Sequence, residues 1–313
     1  LAVLLSSTGA FAQVTAQQVW DDWKANMGMY GTEGVTIGSE NYANGVLTVT
    51  DLGFAMTEEE MSVSGNLPQL VLTEQADGTV AVTMAETYPI SISGTDEYGS
   101  TTDVALSLNQ TGAVMTVSGA PGNLTYDIAI ARYELVVDEI VVDGETAPVD
   151  AVIGMNNLTG SYTTTGPVEL RDIAYDIAVE SVDIKASGAE PGTQNSFTVN
   201  GAIAGIAAQA LMTLPANLGE IEPSAIFSSG FAMDGSQTFG ALDLAFMVNE
   251  NGQATQGSVA MTGGSTNIVL GQSALDYGFS FTGLNLQTTS PELPFPVAFA
   301  ADEIGLGLAM PMT

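Results

Sequence analysis

The chain has 313 residues, with 36 Asp and Glu against four Lys and Arg, a formal net charge of −32 and a mean hydropathy of +0.25. Nucleic acids and anionic bilayer surfaces both demand clustered Lys and Arg, so this balance argues against either as a partner. The absence of cysteine and histidine excludes disulfides, thiol nucleophiles, zinc ribbons and imidazole general bases. The acidity itself reads as solubility in salty water, where screening over roughly 4 Å lets neighbouring carboxylates coexist.

Residues 1–12 read as the remnant of a signal peptide, an apolar run closing on Ala10-Phe11-Ala12, with cleavage expected before Gln13 and export to the periplasm. A lipoprotein needs Cys after the cut, and Gln13 stands there. Residues 13–30 read as a helix: Thr15 with Gln18 forms a capping box, and Ala16, Trp20, Trp23 and Met27 share one face, with the two tryptophans docking it onto a core.

Residues 31–200 read as an antiparallel β region. From about Tyr42 apolar residues alternate with polar ones, as in Val80-Val82-Met84, Val104-Leu106-Leu108 and Ile173-Tyr175-Ile177-Val179. Asp77-Gly78, Thr111-Gly112, Asp143-Gly144 and, further on, Asn251-Gly252 are expected to supply hairpin turns. Between Tyr126 and Val142 the apolar phase changes near Arg132 and Tyr133, the mark of a bulge or bend.

Residues 201–222 break the alternation. Ile203, Ile206, Ala207, Ala210 and Leu211 follow helical spacing up to Pro215, which predicts a connecting helix, and Gly201 with Gly205 predicts close backbone packing inside it. Residues 223–313 read as a second β region, with Leu242-Leu244-Phe246-Val248, Tyr277-Phe279-Phe281 and Ile304-Leu306-Leu308-Met310 as strands, truncated at the C-terminus. The expected fold is therefore mainly β: a large curved antiparallel meander sheet or sandwich, with a short N-terminal helix and one connecting helix. No run of 18 apolar residues predicts a membrane-spanning helix.

No Gly-x-Ser-x-Gly elbow, phosphate loop, dinucleotide fingerprint or complete EF-hand loop is present; Asn249-Glu250-Asn251-Gly252 lacks the acid that a calcium loop needs first. Glu58-Glu59-Glu60 reads as a solvated turn, and Asn109, Asn123 and Asn157, in Asn-x-Ser/Thr triplets, as polar turn residues. No catalytic, cofactor-binding or metal-ligating residue is singled out, and no cofactor is expected. Two alternatives stay open: a carboxylate-based hydrolase, because a glycosidase needs only two acids at the right separation, and an outer-membrane β-barrel, although most alternating runs fall short of the roughly 10 residues a barrel strand takes.

Val19-Trp20-Asp21-Asp22-Trp23-Lys24, the acidic turn-rich strands and Leu293-Pro294-Phe295-Pro296-Val297 resemble the exported alphaproteobacterial family catalogued as domain of unknown function 2125. The resemblance implies an exported, mainly β protein and carries no functional residue with it. Positive hydropathy, thirteen Met and more apolar strand faces than two helices cover give the functional expectation. It is a non-enzymatic periplasmic protein presenting an extended sheet to a hydrophobic ligand, such as a lipid, or to an envelope partner.

Overall fold

The structure is a computed structural model that describes residues 13–29, 34–58, 60–167, 169–190, 192–216, 221–222, 225–272 and 274–311. The signal remnant assigned to residues 1–12, and Glu59, lie outside the described residues. One helix, α1 (Ala16–Met29), precedes a single 18-stranded sheet. Its first half comprises β1 (Val35–Ala43), β2 (Val46–Glu58), β3 (Met61–Glu74), β4 (Val80–Met84), β5 (Thr87–Thr95), β6 (Thr101–Thr111), β7 (Val114–Ala120), β8 (Asn123–Val142) and β9 (Glu145–Ala147). The second comprises β10 (Val149–Thr165), β11 (Leu170–Ala189), β12 (Ser196–Pro215), β13 (Ala232–Phe239), β14 (Leu242–Glu250), β15 (Gln253–Met261), β16 (Gly263–Leu270), β17 (Ala274–Thr289) and β18 (Val297–Pro311).

Several strands continue one another end to end. β3 pairs with β4 through Leu70–Glu74 and with β5 through Met61–Gly65, and β8 pairs with β7 through its first half and with β6 through its second. β13 and β14 likewise share β12. The chain thus zigzags from one side of the sheet to the other, each track antiparallel to the last, as the short turns require. Asn44-Gly45, Asp143-Gly144 and Asn251-Gly252 all hold positive φ at both positions, the backbone of a tight hairpin.

Two expectations are corrected. As far as Pro215, the stretch 201–222 given a connecting helix is strand β12, paired to β11 along its length and on its other side to β14 through Ser196–Ile203 and to β13 through Ala207–Thr213. Thr111-Gly112 is not a hairpin: β6 passes straight on into β7, both paired to β8.

The physical reason for both errors is a crease crossing the sheet from β1 to β18. At one level each track contains an irregular residue, and the alternation of side chains restarts one step out of phase. Positive φ marks Asp51, Gly112, Asn157, Gly205 and Gly283 at this level, and Pro68, Ala131, Glu180, Gly240 and Asp302 stand opposite them. The register holds on either side, as in Leu158↔Ile130 and Asn156↔Arg132, or Val179↔Ile206 and Ser181↔Ala204. Val49 and Leu52, or Leu67 and Leu70, three apart, therefore face the same core. One strand alone with such a step would turn its apolar side chains away from its neighbours'. The whole sheet steps together, so the apolar residues of both halves stay on one face.

The crease separates a helix half from a far half. In the helix half α1 begins with the predicted capping box, the Thr15 amide donating to Gln18 Oε1 at 3.0 Å and the Gln18 amide to Thr15 Oγ1 at 3.2 Å. The Ala16 amide donates to Glu74 Oε1 at 3.0 Å, which adds an anion at the helix N-terminus. Fully buried Val19 and Trp20 then pack on Leu47, Val49, Leu70, Leu72, Val80, Val82 and Val117. Arg171 of β11, buried beneath the helix, donates to Asp22 Oδ1 at 3.0 Å and to Asn26 Oδ1 at 2.6 Å.

The candidate site: an uncovered apolar face

Beyond the crease the same face carries a row of directly opposed residues: Tyr88, Leu108, Leu135, Ile153, Ile184, Gly201, Leu244, Val259, Leu286 and Phe299. Opposed residues in an antiparallel sheet project to the same side, so the row is one strip across the sheet, on the order of 40 Å long at the usual strand spacing. The next row outward repeats it with Ile90, Leu106, Val137, Ala151, Ala186, Val199 and Phe246. Neither row contains a charged residue.

No residue of the first row reaches the fully buried class that α1 creates in the helix half; Ile153 is 45% and Phe299 50% exposed. β18 adds exposed Leu306, Leu308 and Met310 to the same face. The face is also smooth, because Phe54, Phe197 and Phe246 each lay a ring over an opposed glycine, Gly65, Gly188 and Gly257 respectively.

The opposite face has a different chemistry. There the corresponding row reads Glu134, Gly154, Asp183, Ala202, Asp243, Ala260, Asn285 and Ala300. Arg132 lies on it, bonded to Asp183 Oδ1 at 2.7 Å and Oδ2 at 2.9 Å and to Glu134 Oε1 at 2.7 Å. The Arg132 guanidinium, ahead of the Asn156 amide, holds the Asp183 carboxyl down at about 2. Alternation at period two thus sorts the acids to one side and the hydrocarbon to the other.

On the far half of the apolar face, the polar groups among the inner rows are neutral. Tyr88 and Tyr133 share a hydrogen bond through their hydroxyls, and burial, then that bond, raises the Tyr88 hydroxyl well above its ordinary range. Gln110, buried at the crease, donates to the Met84 and Ala85 carbonyls at 3.2 and 2.8 Å, where β4 gives way to β5. Two cavities open at the far ends of the strands. One of about 440 Å³ is lined by Val149, Gly188, Phe197 and Val248 and edged by Glu190 and Glu250. The other, about 700 Å³, meets Met61, Gly94 and Thr102 beside Glu60 and Asp96.

Among the described residues no group of three or more Asp and Glu side chains is placed to hold a metal ion. No described helix is long and apolar enough to cross a membrane. Glu250-Asn251-Gly252 forms the tight turn between β14 and β15. Asn109 lies within β6 and Asn157 within β10, at the crease, so neither is the turn residue expected. An uncovered apolar sheet face is what the sequence leads one to expect; which residues line up across it is set by pairings between strands far apart in the chain, and no short alternating run shows that. No family model, no curated protein and no solved structure matches the chain.

Proposed function

We propose that this chain is an exported, periplasmic, non-enzymatic protein of the family it resembles, and that it binds a hydrophobic ligand along the far half of its apolar face without transforming it. The observation that carries this reading is the uncharged row from Tyr88 to Phe299, left open beyond the reach of α1. Apolar surface in water costs about 25 cal/mol per Å², and a continuous strip of this length is more than an isolated monomer ordinarily leaves exposed. A ligand that covers it removes that cost, while the acidic opposite face keeps the protein in solution.

The test is purification from the native envelope without detergent, followed by native mass spectrometry and solvent extraction. A hydrophobic molecule is expected to co-purify. Replacing Leu135 and Leu244 by Asp, at the middle of the strip, is expected to remove it while circular dichroism stays that of a β protein. Wild-type protein that emerges empty, and takes up no hydrophobic probe when offered one, would overturn the reading.

A further inference from the structure

The apolar strip is bordered by acids and has no cation within its reach, and from this we infer that its occupant is an acyl-chain lipid whose headgroup carries no net negative charge. The inference rests on the proposed function and adds what the site selects.

All four basic residues are placed away from the strip. Lys24 lies on α1, 3.1 Å from Asp21 and 3.5 Å from Glu40. Arg171 is buried under that helix against Asp22. Arg132 is bound to Asp183 and Glu134 on the opposite face, and Lys185, in register with Val152 and Asn200, shares that face with Asp183.

The charged residues that line the two cavities at the far ends of the strands are all acids: Glu60 and Asp96 at one, Glu190 and Glu250 at the other. A bound chain lying on the hydrocarbon rows places its headgroup at an edge of the strip, where water is available. A phosphate with no balancing ammonium meets carboxylates there and no partner, against the field of a chain of net charge −32. A zwitterionic head brings its own cation to those acids. The same charge opposes a second copy of the chain as the cover, since two such fields repel.

The experiment uses delipidated full chain and two soluble probes with one acyl chain in common, lysophosphatidylethanolamine and lysophosphatidylglycerol, titrated as monomers by calorimetry in dilute and in half-molar sodium chloride. The ethanolamine lipid is expected to bind about ten-fold tighter in dilute salt, with the gap closing to about two-fold as screening shortens the field. The double variant Glu190→Lys, Glu250→Lys is expected to narrow the gap in dilute salt without loss of fold by circular dichroism. Equal binding of the two lipids in dilute salt, or tighter binding of the glycerol lipid, overturns the headgroup inference and leaves the proposed function standing. Binding of neither overturns both, and so does a lipid-free protein that sediments as a dimer and takes up neither probe, because a second copy then covers the face.

Discussion

Gly257 stands opposite Phe246 on the apolar face, and a Cβ there would come within 2.5 Å of the ring's Cζ and 2.8 Å of the Gln287 carbonyl oxygen. The Phe246 ring must swing off its glycine and the Gln287 carbonyl is held by the sheet, so Gly257→Ala is expected to lower stability by about 1–3 kcal/mol, read from the urea midpoint. Asp22 and Arg171 form a different kind of contact: their side chains are only 9% and 3% exposed, and Asp22 also accepts from Tyr126 at 3.3 Å. Replacing Asp22 with Ala strands a buried guanidinium and is expected to cost about 3 kcal/mol. Asp183 gives a pH signature. Its folded pKa lies near 2, below the ordinary 3.8, so the stability it contributes is fully present above about pH 4 and is lost as pH falls through 2. With its side chain 30% exposed, solvent screening reduces that contribution to about 1 kcal/mol. Acid titration of the Arg132→Gln variant is expected to lack this loss.

At the scale of elements, the crease explains both what was legible and what was not. The helix α1 was readable because its capping box and its Trp20 face are local signals, and local signals survive into the fold. The strand β12 was not. A phase step at Gly205 places Ile203 and Ile206 on one face three residues apart, which imitates the first interval of a helix; only the neighbours β11, β13 and β14 show that it is a strand. The step near Arg132 was legible because long alternating runs flank it on both sides. Asn44-Gly45 escaped notice because the strand before it is polar and exposed. If the crease depends on backbone conformation, Gly205, at φ 61 with only the Gly240 amide within 4 Å of an added Cβ, is the position that isolates it. Gly205→Ala is expected to lose about 1–2 kcal/mol from backbone strain alone. Gly307, in β18 with open space around it and no positive φ, serves as the control, and its Ala variant should melt within a degree or two of the parent.

Across the whole molecule, the separation of faces gathers acids from distant strands onto one surface. Thirty-six acids and four bases were legible in the composition; their gathering away from the hydrocarbon was not, since the phase of each strand changes at the crease. Asp172, Asp176 and Asp183 on β11, Asp234 on β13, Asp243 on β14 and Asp276 on β17 all stand on that one surface. In dilute buffer such an array repels itself across distances that a Debye length of about 30 Å leaves unscreened, whereas near half-molar salt the range falls to roughly 4 Å, shorter than the spacing between tracks. The unfolded chain carries the same charge spread over a larger volume, so screening favours the folded state. The apolar face adds in the same direction, because salting-out ions strengthen burial. The melting temperature is therefore expected to rise steadily from 10 mM to 0.5 M sodium chloride, and to rise further with sulfate at equal ionic strength. A flat or falling series in sodium chloride would show that the acids are far enough apart on the sheet for water alone to screen them.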